Sequence, residues 1–155
     1  MHSIKSENSK IKLISGDNNI FIIPIKYISY SNLLKVLFND NDNDNEVTLQ
    51  LCDTTLLKIL EFYKLLSENN NKIYNNTYEN IDSVDECFKK YIDISMKELH
   101  SLLNGANYLD SEELLILCVK KIALKLRGLS LKEIKENYNI VNKFTDKEKV
   151  ILKNL

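Results

Sequence analysis

The chain contains no tryptophan, one proline, three glycines, three cysteines and two histidines among its 155 residues. So few glycines make a glycine-built phosphate loop hard to assemble, and no nucleophile elbow or paired-carboxylate motif occurs in a recognisable context. There is also no Cys-x-x-Cys pair and no Cys/His cluster, which argues against zinc and against a disulfide framework. We therefore expect a protein that is not an enzyme, has no catalytic or metal-binding residues and needs no cofactor.

The charge and the apolar runs exclude two further classes of partner. The formal net charge is -1, with basic residues dispersed, so the sequence provides no general field for nucleic acid or an anionic membrane. Apolar runs are short and interrupted, and none is long enough to cross a bilayer. The segment Met1–Lys10 is polar and has no signal-peptide core, which favours the cytoplasm and nucleus.

An Asp/Asn-rich run, Asn39–Asn45, invites comparison with a calcium-binding loop. Such a loop requires glycine at its sixth position and a bidentate glutamate at its twelfth. Counted from Asp40, these positions hold Asn45 and Leu51. We therefore interpret the run as a solvated acidic loop. A second polar stretch, Ser67–Asn80, is also predicted to be a loop.

The N-terminal part alternates between strand and helix signals. Lys10–Ser15 and Ile20–Ile25 flank the turn formers Gly16–Asn19, which predicts a hairpin. Pro24 cannot donate to a ladder, so the second strand should lie at an edge or end there. Ser31 is predicted to cap a short helix, and Val47, Leu49 and Leu51 alternate as a third strand.

The next helix should begin at a cap provided by Asp53 or Thr54. It carries apolar residues at the i, i+3, i+4, i+7 spacing of a packed helix. These residues are Leu56, Ile59, Leu60, Tyr63 and Leu66. Later in the chain, Leu114–Val119 is apolar without a break, which predicts a helix covered on most sides.

Four helix-start signatures follow in the C-terminal half. In each, an oxygen-bearing side chain is followed three residues later by glutamate, the spacing of a capping box. The pairs are Ser95 with Glu98, Asp110 with Glu113, Ser130 with Glu133, and Thr145 with Glu148. A consecutive helical array is therefore predicted, and the whole chain has an α+β layout.

The same half carries a family resemblance. Its elements are Ala106-Asn107-Tyr108-Leu109-Asp110, Leu114-Leu115, Ile122-Ala123, Gly128, Glu133-Ile134, Asn139-Ile140, Asn142 and Phe144-Thr145. In this order and spacing they resemble the S-phase kinase-associated protein family, the small adaptors of cullin-based ubiquitin ligases. The N-terminal half contributes Ile11-Lys12-Leu13, Ser15, Asp17, Phe21, Val47-x-Leu49 and Leu57-Lys58, so the resemblance covers nearly the whole chain.

The resemblance implies a BTB/POZ domain over residues 1–127 and an F-box-binding helical extension over residues 128–155. It implies an adaptor of an SCF-type ligase, whose partners are an F-box protein and a cullin. The implied cullin-binding residues are Asn107 and Tyr108. The implied F-box-binding residues are Leu115, Val119, Ile122, Leu126, Ile134, Tyr138, Ile140 and Phe144.

Each implied site has a plainer interpretation. Several of the apolar residues could be internal core, Asn107 could close a turn, and Tyr108 could simply pack. The alternative function is a BTB-type module that self-associates or binds another partner outside any ubiquitin ligase.

Overall fold

The structure is a computed structural model that describes residues 8–40, 45–73 and 84–137, together with residues 147, 150 and 151. Within these ranges a three-stranded sheet accompanies one 3₁₀ helix and six α-helices, so the predicted α+β class is confirmed. The chain divides into two compact units, Met1–Ile122 and Ala123–Leu155. The arrangement agrees with the BTB/POZ fold that the resemblance implies.

The sheet consists of β1 (Lys10–Ile14), β2 (Ile20–Pro24) and β3 (Glu46–Thr48), in the order β2-β1-β3. β1 pairs antiparallel with β2 and parallel with β3. The predicted hairpin is therefore confirmed, and β2 is an edge strand that ends at Pro24, as the missing N–H of proline requires.

One face of the sheet belongs to the core. Ile11 and Leu13 of β1 and Val47 of β3 are buried, as the alternation predicted. β3 is shorter than the predicted strand because it ends at Thr48. Leu49 and Leu51 are nevertheless buried beyond it, and the Leu49 N–H donates to the Ile14 carbonyl at 2.8 Å.

A 3₁₀ helix, Ile25–Tyr30, leads into the helical part of the chain. The helices are α1 (Asn32–Asp40), α2 (Asp53–Glu68), α3 (Glu86–Ile92), α4 (Met96–Leu109), α5 (Glu112–Leu126) and α6 (Leu131–Asn137). All five residues of the predicted α2 stripe are buried, and Phe62 joins them. α2 is thus the central core helix. The ring centroid of Phe62 on α2 lies 5.7 Å from that of Phe88 on α3.

Three of the predicted caps form. Ser95 with Glu98 and Ser130 with Glu133 make complete capping boxes. The Ser31 hydroxyl accepts from the Leu34 N–H at 3.1 Å at the start of α1. The fourth capping box, Thr145 with Glu148, lies outside the described residues.

Two other cap predictions are wrong. Asp110 ends α4 in the left-handed conformation (φ 50°, ψ 54°) instead of starting α5. Cys52 stands at the N-cap of α2, where no side chain caps the helix. The Asp53 carboxylate instead accepts from the Ser15 hydroxyl at 2.5 Å and from the Asn19 side-chain amide. These long-range partners take the oxygens that a local cap would have used.

The two predicted loops begin slightly later than expected. α1 extends to Asp40, and residues 41–44 lie outside the described ranges. α2 extends to Glu68, and the chain then turns through Asn70 and Asn71, both at positive φ, with residues 74–83 again outside. Among the cysteines, Cys118 is buried, Cys87 is half-buried and Cys52 is exposed.

Candidate protein-interaction surfaces

α5 presents apolar side chains to solvent. Leu115, Val119 and Ile122 follow one another at i, i+4 and i+7 and form what we call the α5 stripe. Val119 is 54% exposed, whereas Leu115 and Ile122 are half-buried and pack against the core. The stripe thus lies where the buried side of the helix meets solvent, and these three predicted F-box contacts are accessible to different degrees.

The prediction that Leu114–Val119 is covered on most sides is wrong. Leu114, Leu117 and Cys118 are buried, but Val119 and Ile116 are exposed, Ile116 to 41%. The sequence analysis did not single out Ile116 as a surface residue. The unbroken apolar run could have indicated it, because a helix that is apolar all round is covered either by its own chain or by a partner.

The second unit holds the remaining described members of the predicted F-box set. Leu126, at the end of α5, and Ile134, on α6, are both half-buried. Gly128 separates the two helices at φ 79°, a left-handed conformation that glycine adopts without strain. Tyr138, Ile140 and Phe144 lie outside the described residues.

The two predicted cullin-binding residues lie in the last turn of α4. Asn107 is exposed, and Tyr108 is 36% exposed. The Tyr108 hydroxyl accepts the Gln50 N–H at 3.0 Å, from the segment that joins β3 to α2. Tyr108 therefore offers part of its surface to solvent while it ties α4 to that segment.

The end of α4 is held by backbone and side-chain hydrogen bonds. Ser111 donates its N–H to the Ala106 carbonyl at 2.9 Å, which closes the turn around Asp110. Asn32 donates its N–H to the Asp110 carbonyl at 3.2 Å and its side-chain amide to the Asp110 carboxylate at 3.1 Å. The buried Ser31 hydroxyl donates to the Leu109 carbonyl at 2.5 Å.

A buried pair of hydroxyls secures the same turn from inside. Tyr63 of α2 hydrogen-bonds Ser111, and both side chains are buried. Burial raises the pKa of Tyr63 to about 12, so the phenol stays neutral at physiological pH. Because these polar groups satisfy one another, the turn that follows Asn107 and Tyr108 is fixed by the core.

Two other kinds of site are absent from the described residues. None of them forms a group of three or more histidine, cysteine, aspartate or glutamate side chains that could hold a metal ion. In the same part of the chain, no helix is long and apolar enough to cross a membrane. The described surface includes exposed apolar side chains on α5, Ile116 and Val119 among them.

Comparison with known proteins identifies the family to which this α+β chain belongs. The family described as "Skp1 family, dimerisation domain" matches residues 112–153. "Suppressor of kinetochore protein 1" of Schizosaccharomyces pombe is 32% identical over 150 residues, covering 90% of this chain and 91% of the relative. The "S-phase kinase-associated protein 1 homolog" of Tetrahymena thermophila is 30% identical over 146 residues, covering 91% and 88%. The chain belongs to the Skp1 family.

A third relative carries a more explicit name. "SCF ubiquitin ligase complex protein SKP1a" of Dictyostelium discoideum is 26% identical over 144 residues, covering 90% of this chain and 89% of the relative. The matches extend over both compact units, so the similarity includes the sheet, the helical core and the α5 surface together.

Proposed function

We propose that this chain is a non-enzymatic adaptor of an SCF-type cullin-RING ubiquitin ligase that joins an F-box substrate receptor to a cullin scaffold. Relatives covered over about nine-tenths of their length are named as SCF complex proteins. The observation that carries the proposal is the exposed apolar surface of α5, which lies inside the segment that matches the Skp1 family. The proposal includes localisation to the cytoplasm and nucleus. It also places a domain boundary at residues 127/128.

The F-box contact is assigned to the α5 stripe together with the later predicted residues. Leu114, Leu117 and Cys118 already anchor α5 in the core. Val119 and Ile116 are therefore not needed to fix the helix and are available to a partner. Burial of an aliphatic side chain contributes about 1.5–3 kcal/mol, which is enough for a few such residues to dominate an interface.

The cullin contact is assigned to Asn107 and Tyr108. The fixed turn that follows α4 supports this assignment. A surface that is already ordered loses less conformational entropy when a partner binds. The Tyr108 hydroxyl accepts the Gln50 N–H, so its own O–H and the exposed part of the side chain remain for a partner.

The first test compares Val119→Asp with Leu57→Asp in the full chain. Leu57, on α2, is 51% exposed, close to the 54% of Val119, and the substitution is the same. A carboxylate buried against an apolar partner loses its hydration, so Val119→Asp should weaken F-box binding at least thirtyfold, about 2 kcal/mol. Leu57→Asp should leave it unchanged. Equal effects of the two variants, measured by calorimetry with a purified F-box domain, would contradict the assignment.

The second test addresses the cullin contact with Asn107→Lys/Tyr108→Lys. Two ammonium groups placed against an apolar partner without counter-charges cost several kcal/mol, so cullin capture should be lost. Ser101→Lys/Asn104→Lys, two exposed positions on the same helix, provides the control. F-box binding should persist in both double variants. Cullin capture by a folded Asn107→Lys/Tyr108→Lys chain would contradict the assigned face.

The alternative function, a self-associating BTB-type module, gives a different result in the same samples. It predicts a stable dimer in sedimentation equilibrium and no capture of either an F-box domain or a cullin N-terminal domain. A monomer that binds both proteins simultaneously would favour the adaptor.

A further inference from the structure

The charge of the chain is distributed unevenly between its two compact units. Residues 123–155 contain eight of the 21 lysine and arginine residues but only four of the 22 aspartate and glutamate residues. This unit therefore has a net charge of +4, whereas residues 1–122 have -5. The near-neutral total conceals a basic C-terminal unit.

The described carboxylates of this unit are already engaged. Glu133 closes the capping box, where its carboxylate accepts the Ser130 N–H at 2.7 Å, and this bond lowers the pKa of Glu133. Glu136 pairs with Lys132 at 3.9 Å. Among the described residues, no carboxylate lies within ion-pair distance of Lys125, Arg127 or Lys135.

Two apolar side chains lie beside Lys135 on α6, and Lys125 and Arg127 come shortly before them in the chain. On α6, Leu131 and Lys135 are four residues apart and Ile134 is three from Leu131, so the three occupy one side of the helix. Leu131 is 69% exposed and Ile134 is half-buried. We call Lys125, Arg127, Leu131, Ile134 and Lys135 the basic-apolar surface.

We propose that the basic-apolar surface selects F-box receptors whose contacting helices carry aspartate or glutamate beside their apolar anchors. This inference rests on the proposed adaptor function and specifies the chemistry of its partner. Apolar contact over Leu131 and Ile134 brings the neighbouring cations close to the partner. A neutral partner would desolvate them without compensation, whereas an acidic partner supplies counter-charges.

The composition of the surface favours a protein over other anionic partners. Contacts to nucleic acid are made mostly to phosphates by polar and cationic groups, which would leave Leu131 unused. An anionic membrane attracts basic amphipathic helices, but α6 carries two lysines and two glutamates and so has no net charge. We therefore assign the surface to an acidic, apolar protein face.

The test uses one F-box domain in two forms. The acidic form keeps the aspartate and glutamate residues of its contact helices, and the amide form has them replaced by asparagine and glutamine. The chain is compared with Arg127→Gln/Lys135→Gln, and Lys132→Gln is the matched control because Lys132 is paired with Glu136 on the same helix. Dissociation constants are measured at about 50 mM and about 300 mM salt, where screening differs strongly.

The acidic form should bind the parent chain about threefold to tenfold more tightly than the amide form at low salt, with the difference shrinking at high salt. Arg127→Gln/Lys135→Gln should remove this preference, and Lys132→Gln should retain it. Equal binding of both forms to the parent chain would overturn the inference while leaving the adaptor function intact.

If neither form bound the parent chain, the result would count against the adaptor function itself. Binding of the parent chain to phosphatidylserine vesicles, lost in the double variant and accompanied by no F-box preference, would overturn the inference in favour of a membrane surface.

Discussion

Gly105 of α4 packs closely against Thr55 and Ile59 of α2, and Gly105→Ala tests how tightly these helices pack. A Cβ at this position would lie 2.6 Å from Thr55 Cγ2 and 2.8 Å from Ile59 Cδ1. Both distances are too short for carbon atoms in contact. Thr55 is β-branched, and its hydroxyl is hydrogen-bonded with Cys52 at 3.2 Å, so its methyl group cannot turn away freely.

Two opposing effects set the size of the change. Alanine is favoured over glycine in a helix by about 1 kcal/mol. Overpacking a filled interior costs about 1–3 kcal/mol, and two short contacts place Gly105→Ala near the upper end. We expect a net loss of about 2 kcal/mol in the free energy of unfolding. For a chain of this length, that corresponds to a fall of about 4–8 °C in Tm.

Urea denaturation followed by circular dichroism measures the loss, and Thr55→Ser identifies its cause. Serine removes Cγ2 but keeps the hydroxyl, so Gly105→Ala should cost at least about 0.5 kcal/mol less in the Thr55→Ser background. Gly128→Ala is the control. It is strained by its φ of 79° but meets no atom within 4 Å, so it should show no coupling to Thr55→Ser. A Gly105→Ala chain as stable as the parent would refute the packing argument.

Three further outcomes are expected. Tyr108→Phe removes the acceptor of the Gln50 N–H, so this amide should lose hydrogen-exchange protection with a stability loss of about 0.5–1.5 kcal/mol; unchanged protection would contradict the bond. Ser130→Ala should destabilise α6 by about 1 kcal/mol, visible as faster exchange there but not in α4. Burial raises the pKa of Cys118 from 9.0 to about 12, so the folded state holds its thiol proton more tightly. The free energy of unfolding should therefore fall between about pH 9 and pH 12, and this fall should be smaller in Cys118→Ala.

Elements with a strong local pattern were predictable from the sequence. The apolar residues predicted for α2 follow helical spacing over three turns and so lie on one face of the helix. Each of them is buried because that face packs against the core. The β1–β2 hairpin follows from alternation on both sides of a turn-forming run, and Pro24 marks its end. In these cases local chemistry and global packing favour the same structure.

The caps show where local reasoning reaches its limit. Asp53 has the chemistry of an N-cap, but its oxygens accept from Ser15 and Asn19, which are 38 and 34 residues away. Asp110 likewise ends one helix instead of starting the next, because Ser31 and Asn32 hold the turn from the other side. A pattern of three or four residues contains no information about such distant partners, so the competing role could not be predicted from the sequence.

The site predictions met a similar limit at α5. An unbroken apolar run indicates that a helix is covered, but it does not distinguish cover by the same chain from cover by a partner. Here Leu114, Leu117 and Cys118 hold the helix to the core, while Ile116 and Val119 contribute little to that attachment. Because different residues of one helix serve the two purposes, the fold and the proposed binding surface can be changed separately. Substitutions at the exposed positions should therefore alter binding with little effect on the free energy of unfolding.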